Sequence, residues 1–83
     1  MDRILINVTI PLIEKTYDMF VPARCRIGKL VEIISNGVKE LSDGKFVPSG
    51  DEQLVCADPE MLPDPQNTMF DYGFSDGSRF FLI

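Results

Sequence analysis

The hydrophobic period of this chain switches from two residues to about 3.6 at Pro22 and returns to two near Gln53, and few small architectures accommodate that double switch. From Ile4 to Ile10, the residues Ile4, Ile6, Val8 and Ile10 alternate with Leu5, Asn7 and Thr9, which predicts a strand with one buried face. After the break at Pro11, Thr16 to Val21 alternates again, with Tyr17, Met19 and Val21 on one face and Asp18 and Phe20 on the other. The short join predicts an antiparallel hairpin. Beyond Pro22, Ile27, Leu30, Val31, Ile34, Val38 and Leu41 fall on one stripe of a helix running from about Arg26 to Leu41. No strong N-cap precedes it, and Arg24, Arg26 and Lys29 oppose the helix dipole at its start.

The remainder reads as loop and strand. Ser42 to Asp51, with its Gly, Pro and Asp residues, predicts a loop, and Gln53 to Ala57 a third strand. Asp58 to Asn67 carries three prolines and predicts irregular chain, with Met61 and Leu62 as a very short edge strand. In the last segment Thr68 caps a single helical turn, Gly73 ends it, Asp76-Gly77 makes a tight turn, and Arg79 to Ile83 is a strand.

Composition bounds what such a chain does. With 83 residues and 45% hydrophobic content there is material for one core, so residues 1–83 are expected to form a single domain. A net charge of −5 without a basic run offers no footprint for nucleic acid and little attraction to anionic lipid. No apolar run approaches the ~20 residues of a membrane span, and the alternating start lacks the features of a signal peptide. The expected setting is the cytoplasm, with Cys25 and Cys56 as free thiols.

The order of elements, the helix residues Ile27, Leu30 and Ile34, and the ending Thr68, Asp71, Tyr72, Ser75-Asp76-Gly77-Ser78 resemble ubiquitin-like proteins over essentially the whole chain. Within them the chain is similar to the small bacterial YukD/EsaB family. The resemblance implies an α+β ubiquitin-like β-grasp, a mixed four- to five-stranded sheet packed on one main helix. It also implies a cytoplasmic accessory protein of a type VII (WXG100, or ESAT-6-like) secretion system, docked at the inner face of the membrane on a membrane component or an ATPase of the machine. It brings no catalytic residues with it.

Candidate sites divide accordingly. There is no His to act as a base or metal ligand, no phosphate-binding loop and no nucleophile motif, so no enzyme, cofactor or metal is expected. Cys25, between Arg24 and Arg26, is the best thiolate candidate, but a packing role is the preferred reading for it and for Cys56. Asp58, Glu60 and Asp64 lack the spacing of a calcium loop, and Asn7-Val8-Thr9 is set aside as a glycosylation acceptor because it lies in a strand. A protein modifier or sulfur carrier is the second functional class; it needs a Gly-Gly tail where this sequence reads Arg-Phe-Phe-Leu-Ile, unless the native chain extends further. A ubiquitin-like scaffold outside secretion is the third. The first remains preferred, with a protein partner and a monomer or weak homodimer. By strand parity and β-grasp order, Leu5, Phe20, Val55, Phe81 and Ile83 are expected to form one outward apolar row, the candidate protein-binding site. Leu12 and Ile13 at the hairpin bend are a second candidate contact, with inward packing as the equal alternative.

Overall fold

The computed structural model describes residues 2–83. Strands β1 (Arg3–Ile10) and β2 (Lys15–Pro22) form the antiparallel hairpin, joined by a single 3-10 turn at Pro11–Ile13 and by Glu14 in the left-handed region. Helix α1 (Ile27–Leu41) follows, then β3 (Leu54–Ala57), β4 (Glu60–Met61), the one-turn helix α2 (Met69–Tyr72) and β5 (Ser78–Leu82). The sheet order is β2-β1-β5-β3-β4, with β1 and β5 parallel at its centre and the other pairs antiparallel. This is the expected β-grasp.

The inner face holds the core because each strand keeps its alternation. Ile6, Val8 and Ile10 of β1, Leu54 and Cys56 of β3, and Phe80 and Leu82 of β5 are buried against Ile27, Leu30, Ile34 and Val38 of α1. Burying each such side chain contributes roughly 1.5 to 3 kcal/mol. Met69 of α2 is also fully buried, and Phe74 packs edge-on to Phe80 with ring centroids 5.1 Å apart.

The far end of the stripe departs from expectation. Leu41 is 60% exposed, because Val38 is the last α1 residue that faces the sheet and the helix stops within one turn of it. Phe46 from the following loop enters the core instead, and its backbone N–H donates to the Ser42 hydroxyl at 3.0 Å. Asp43 and Gly44, both at positive φ, turn the chain there. Periodicity could not find Phe46, since a loop residue belongs to no repeat.

The weakly capped start of α1 is resolved by backbone from another segment. The Ile27 and Gly28 N–H groups donate to the carbonyls of Asn67 (2.8 Å) and Pro65 (3.0 Å), so two orphan donors of the first turn are satisfied without a side chain. Gly28 permits this approach, since a Cβ there would lie 3.2 Å from the Pro65 Cβ and 3.3 Å from its carbonyl oxygen. The same segment is held from below. Tyr72 accepts the Asp64 N–H at 2.7 Å, and Thr68 and Asp71 complete a capping box for α2.

At the edge, β4 lies one residue earlier than expected. Asp58 and Pro59 make the turn, which sets Glu60 opposite Ala57 and Met61 opposite Cys56 and leaves Leu62 exposed beyond the strand.

Phe46→Ala should cost about 3 to 5 kcal/mol, as for other buried Phe truncations, whereas Leu41→Ala should stay within about 0.5 kcal/mol of the parent. Urea denaturation of the two variants checks the contrast, and similar losses would contradict the placement.

Candidate protein-binding surface

The outer face of the sheet has no helix against it. Its side chains come from the alternate positions of the strands just described: Phe20, Asp18 and Thr16 of β2, Leu5, Asn7 and Thr9 of β1, Arg79 and Phe81 of β5, and Val55 of β3. Ile83 continues this side, because it exchanges both backbone hydrogen bonds with Gln53 (2.7 and 2.9 Å) and so extends the β5 ladder.

All five expected residues lie on this face, but register separates them into two groups. Leu5 stands opposite Phe20. Phe81 stands opposite Val55 on one side and beside Thr9 on the other, four residues along β1 from Leu5. Between them runs a polar row, Asp18–Asn7–Arg79, in which the Asn7 amide donates to the Asp18 carboxylate at 3.0 Å. The single row expected from parity is therefore two apolar patches with a hydrogen-bonded polar strip across the middle. Parity assigns a face, whereas the offset of a parallel pair depends on the crossover that joins it.

The first patch is anchored by the closing turn. Asp76 accepts the Leu5 N–H at 2.8 Å, and the Gly77 N–H donates back to the Leu5 carbonyl at 2.8 Å, which holds Leu5 half-buried beside Phe20. Phe20 is 62% exposed, with the Arg3 guanidinium 5.2 Å from its ring centroid. A cation over an aromatic face leaves the ring's other side available.

The second patch runs to the end of the sheet. Phe81 is 37% and Ile83 60% exposed, with Val55 half-buried beside them. Ile83 also lines a groove with Pro11, Leu12, Val47 and Phe46, so the 42–53 loop borders this patch without covering it. The hairpin pair divides: Leu12 is exposed at this groove, whereas Ile13 packs against the core.

The loop's shape is set by one carboxylate. Glu52 accepts the Ser49 N–H and hydroxyl, both at 2.6 Å, and the Gly50 N–H at 3.2 Å. The Ser49 hydroxyl, the largest influence, and these amides hold the Glu52 pKa below its ordinary value of 4.5.

The remaining candidates lie elsewhere. Cys56 is buried in the core and Cys25 half-buried beside it. Among the described residues no three His, Cys, Asp or Glu side chains are grouped to hold a metal ion, and Asp64 accepts the Gln66 N–H in a local turn.

No protein-family model and no curated protein matches this sequence. Solved structures do. The ubiquitin-like domain of the Mycobacterium tuberculosis type VII secretion system protein EccD1 superposes with a TM-score of 0.78 at 14% identity, covering 100% of this chain and 99% of that one. The EccD5 ubiquitin-like domain from Mycobacterium xenopi gives 0.73 at 13%, covering 100% and 94%. A ubiquitin-like domain of an Arabidopsis thaliana protein gives 0.71 at 20%, covering 100% and 78%. At these identities the likeness establishes the fold, which is a ubiquitin-like β-grasp with a five-stranded mixed sheet and one main helix.

Two measurements follow. Leu5→Asp and Phe81→Asp should remain folded, each losing on the order of 1 kcal/mol through strand propensity, whereas Phe80→Asp should abolish the cooperative thermal transition. Because the Glu52 pKa is depressed in the folded chain, its contribution is complete above the ordinary glutamate range and is lost as pH falls through the folded value. Amide shifts of Ser49 and Gly50 should therefore titrate with a midpoint below 4.5, and Glu52→Gln should remove that step.

Proposed function

We propose that this chain is a non-catalytic protein-interaction module, an accessory component of a bacterial type VII (WXG100/ESAT-6-like) secretion system of the YukD/EsaB kind. What carries the reading is the likeness, over nearly the whole of both chains, to the ubiquitin-like domain of EccD1. A fold alone does not assign a role, so the outer face supplies the physical half of the argument. Two apolar patches held on rigid strands give a partner two anchors, and the Asp18–Asn7–Arg79 strip between them fixes its register. The occupant is a protein: a membrane component or the motor ATPase of the machine, met at the inner face of the membrane. No helix of the described residues is long and apolar enough to cross a membrane. The chain is acidic overall and has no histidine, which favours binding over nucleic-acid contact or proton-transfer chemistry.

Leu5→Asp tests the first patch and Phe81→Asp the second. Each should weaken capture of the partner by tenfold or more, equivalent to about 1.4 kcal/mol, and should reduce secretion of the system's substrates in the native cell. Both variants folded, with secretion unchanged, would overturn the assignment.

A further inference from the structure

We infer that the groove between α1 and the segments 48–54 and 62–65 is a second docking site, which takes an extended protein segment through a cationic side chain. This groove lies on the helical side of the sheet, away from the outer face, and the inference does not depend on a role in secretion.

Its shape comes from one flank of α1. Gly28, Val31 and Ser35 stand on successive turns and line the groove, which follows the helix for two turns, about 10 Å at 1.5 Å per residue. The opposite wall is built by Pro48, Pro63 and Pro65, whose fixed φ angles give a preformed site with little to order on binding. Leu54 and Leu62 add apolar surface.

The charge of this groove is of one sign. Glu32, Asp51 and Glu52 line it, and among the described residues no Lys or Arg does. Lys29 approaches Glu32 at 3.6 Å from the exposed flank, and both side chains are more than half exposed, so that pair is weak. Glu52 is engaged by Ser49 and Gly50, whereas the Asp51 carboxylate makes no hydrogen bond or salt bridge among the described residues. No metal-binding cluster is formed by these carboxylates.

A second, independent observation is Ser35. The residue is 2% exposed, its hydroxyl oxygen is covered, and among the described residues that hydroxyl has no hydrogen-bond partner. Buried hydroxyls are ordinarily paired, and an unpaired one on a residue that lines a groove marks where a ligand donor can be met. A guanidinium or ammonium group fits all of these features together. Its aliphatic stem lies along Val31 and Leu62, its head meets the carboxylates, and the Ser35 hydroxyl, once rotated from its covered position toward the groove, accepts one of its N–H bonds.

The test uses the full chain, labelled with nitrogen-15, and an acetylated, amidated heptapeptide alternating leucine and arginine. Amides of Gly28, Val31, Ser35 and Asp51 should shift saturably, and raising NaCl from about 0.05 M to 0.5 M should weaken binding severalfold, since screening shortens the reach of exposed charges. The same peptide with glutamate for arginine should not saturate. The double variant Glu32→Gln/Asp51→Asn changes only exposed side chains and should fold normally while weakening the arginine peptide by tenfold or more. Ser35→Ala should keep or raise the melting temperature and weaken the peptide severalfold. Equal affinity of parent and double variant, saturable binding of the glutamate peptide, shifts confined to Leu5, Phe20 and Phe81, or an unaltered affinity of Ser35→Ala would each overturn the proposal.

Discussion

Burial of one stripe of α1 on the inner face of five short strands is the contact on which this structure rests. None of the strands exceeds eight residues and β4 has two, so the sheet is not stable on its own hydrogen bonds and needs the apolar cover that Ile27, Leu30, Ile34 and Val38 provide. The helix in turn is fixed at its start by distant chain and at its end by the loop that directly follows it. At its start the Pro65 and Asn67 carbonyls replace a side-chain cap, and at its end Ser42 draws Phe46 into the core. The irregular segments at 42–53 and 62–68 are therefore structural parts of the fold. They close the two ends of a core that the strands alone leave open.

With the inner face occupied, alternation assigns the other half of each strand to the outside. Natural sheets with one solvated face use polar residues there, and Thr9, Thr16, Asn7, Asp18 and Arg79 follow that rule. Leu5, Phe20, Val55, Phe81 and Ile83 do not follow it. Their departure is confined to the two ends of the face, where Leu5–Phe20 and Phe81–Val55 are cross-strand neighbours. In the proposed binding face the apolar residues stand apart, with the polar strip between them.

The fold was legible in the sequence because period and breakers are local signals. The shift at Pro22, the stripe from Ile27 to Val38, and the Thr68, Gly73 and Asp76-Gly77 spacing each follow from backbone preferences within a few residues. The membership of the outer face was legible for the same reason, since parity runs along each strand. Features created outside the repeats were not legible. The offset of β5 along β1 split the apolar row, the 65–67 carbonyls answered for a missing N-cap, and Phe46 replaced Leu41 at the end of the core. In each case the deciding contact joins residues that no local repeat relates. The unpaired hydroxyl of Ser35 belongs to this group too, because a serine on the flank of an amphipathic helix looks like ordinary solvated surface until the loops that enclose it are in place.

The two surfaces meet in β3. Leu54 faces the helical side and lines the acidic groove, while its neighbour Val55 faces outward beside Phe81, so one strand four residues long serves both. Coupling between the surfaces would require that strand to shift, and little freedom exists for it. β3 is paired on both edges, by β5 and β4, and the Gln53–Ile83 pair ties its leading end. Shifting it by one residue would turn Leu54 and Cys56 out of the core and set Val55 in their place, an exchange of buried for exposed side chains along the whole strand. A ligand on one side could drive such a change only by binding the shifted register far more tightly. Both faces are thus fixed by the same packed layer and are open to simultaneous occupation, with the sheet acting as a rigid partition between an apolar, mixed-charge surface and an acidic one.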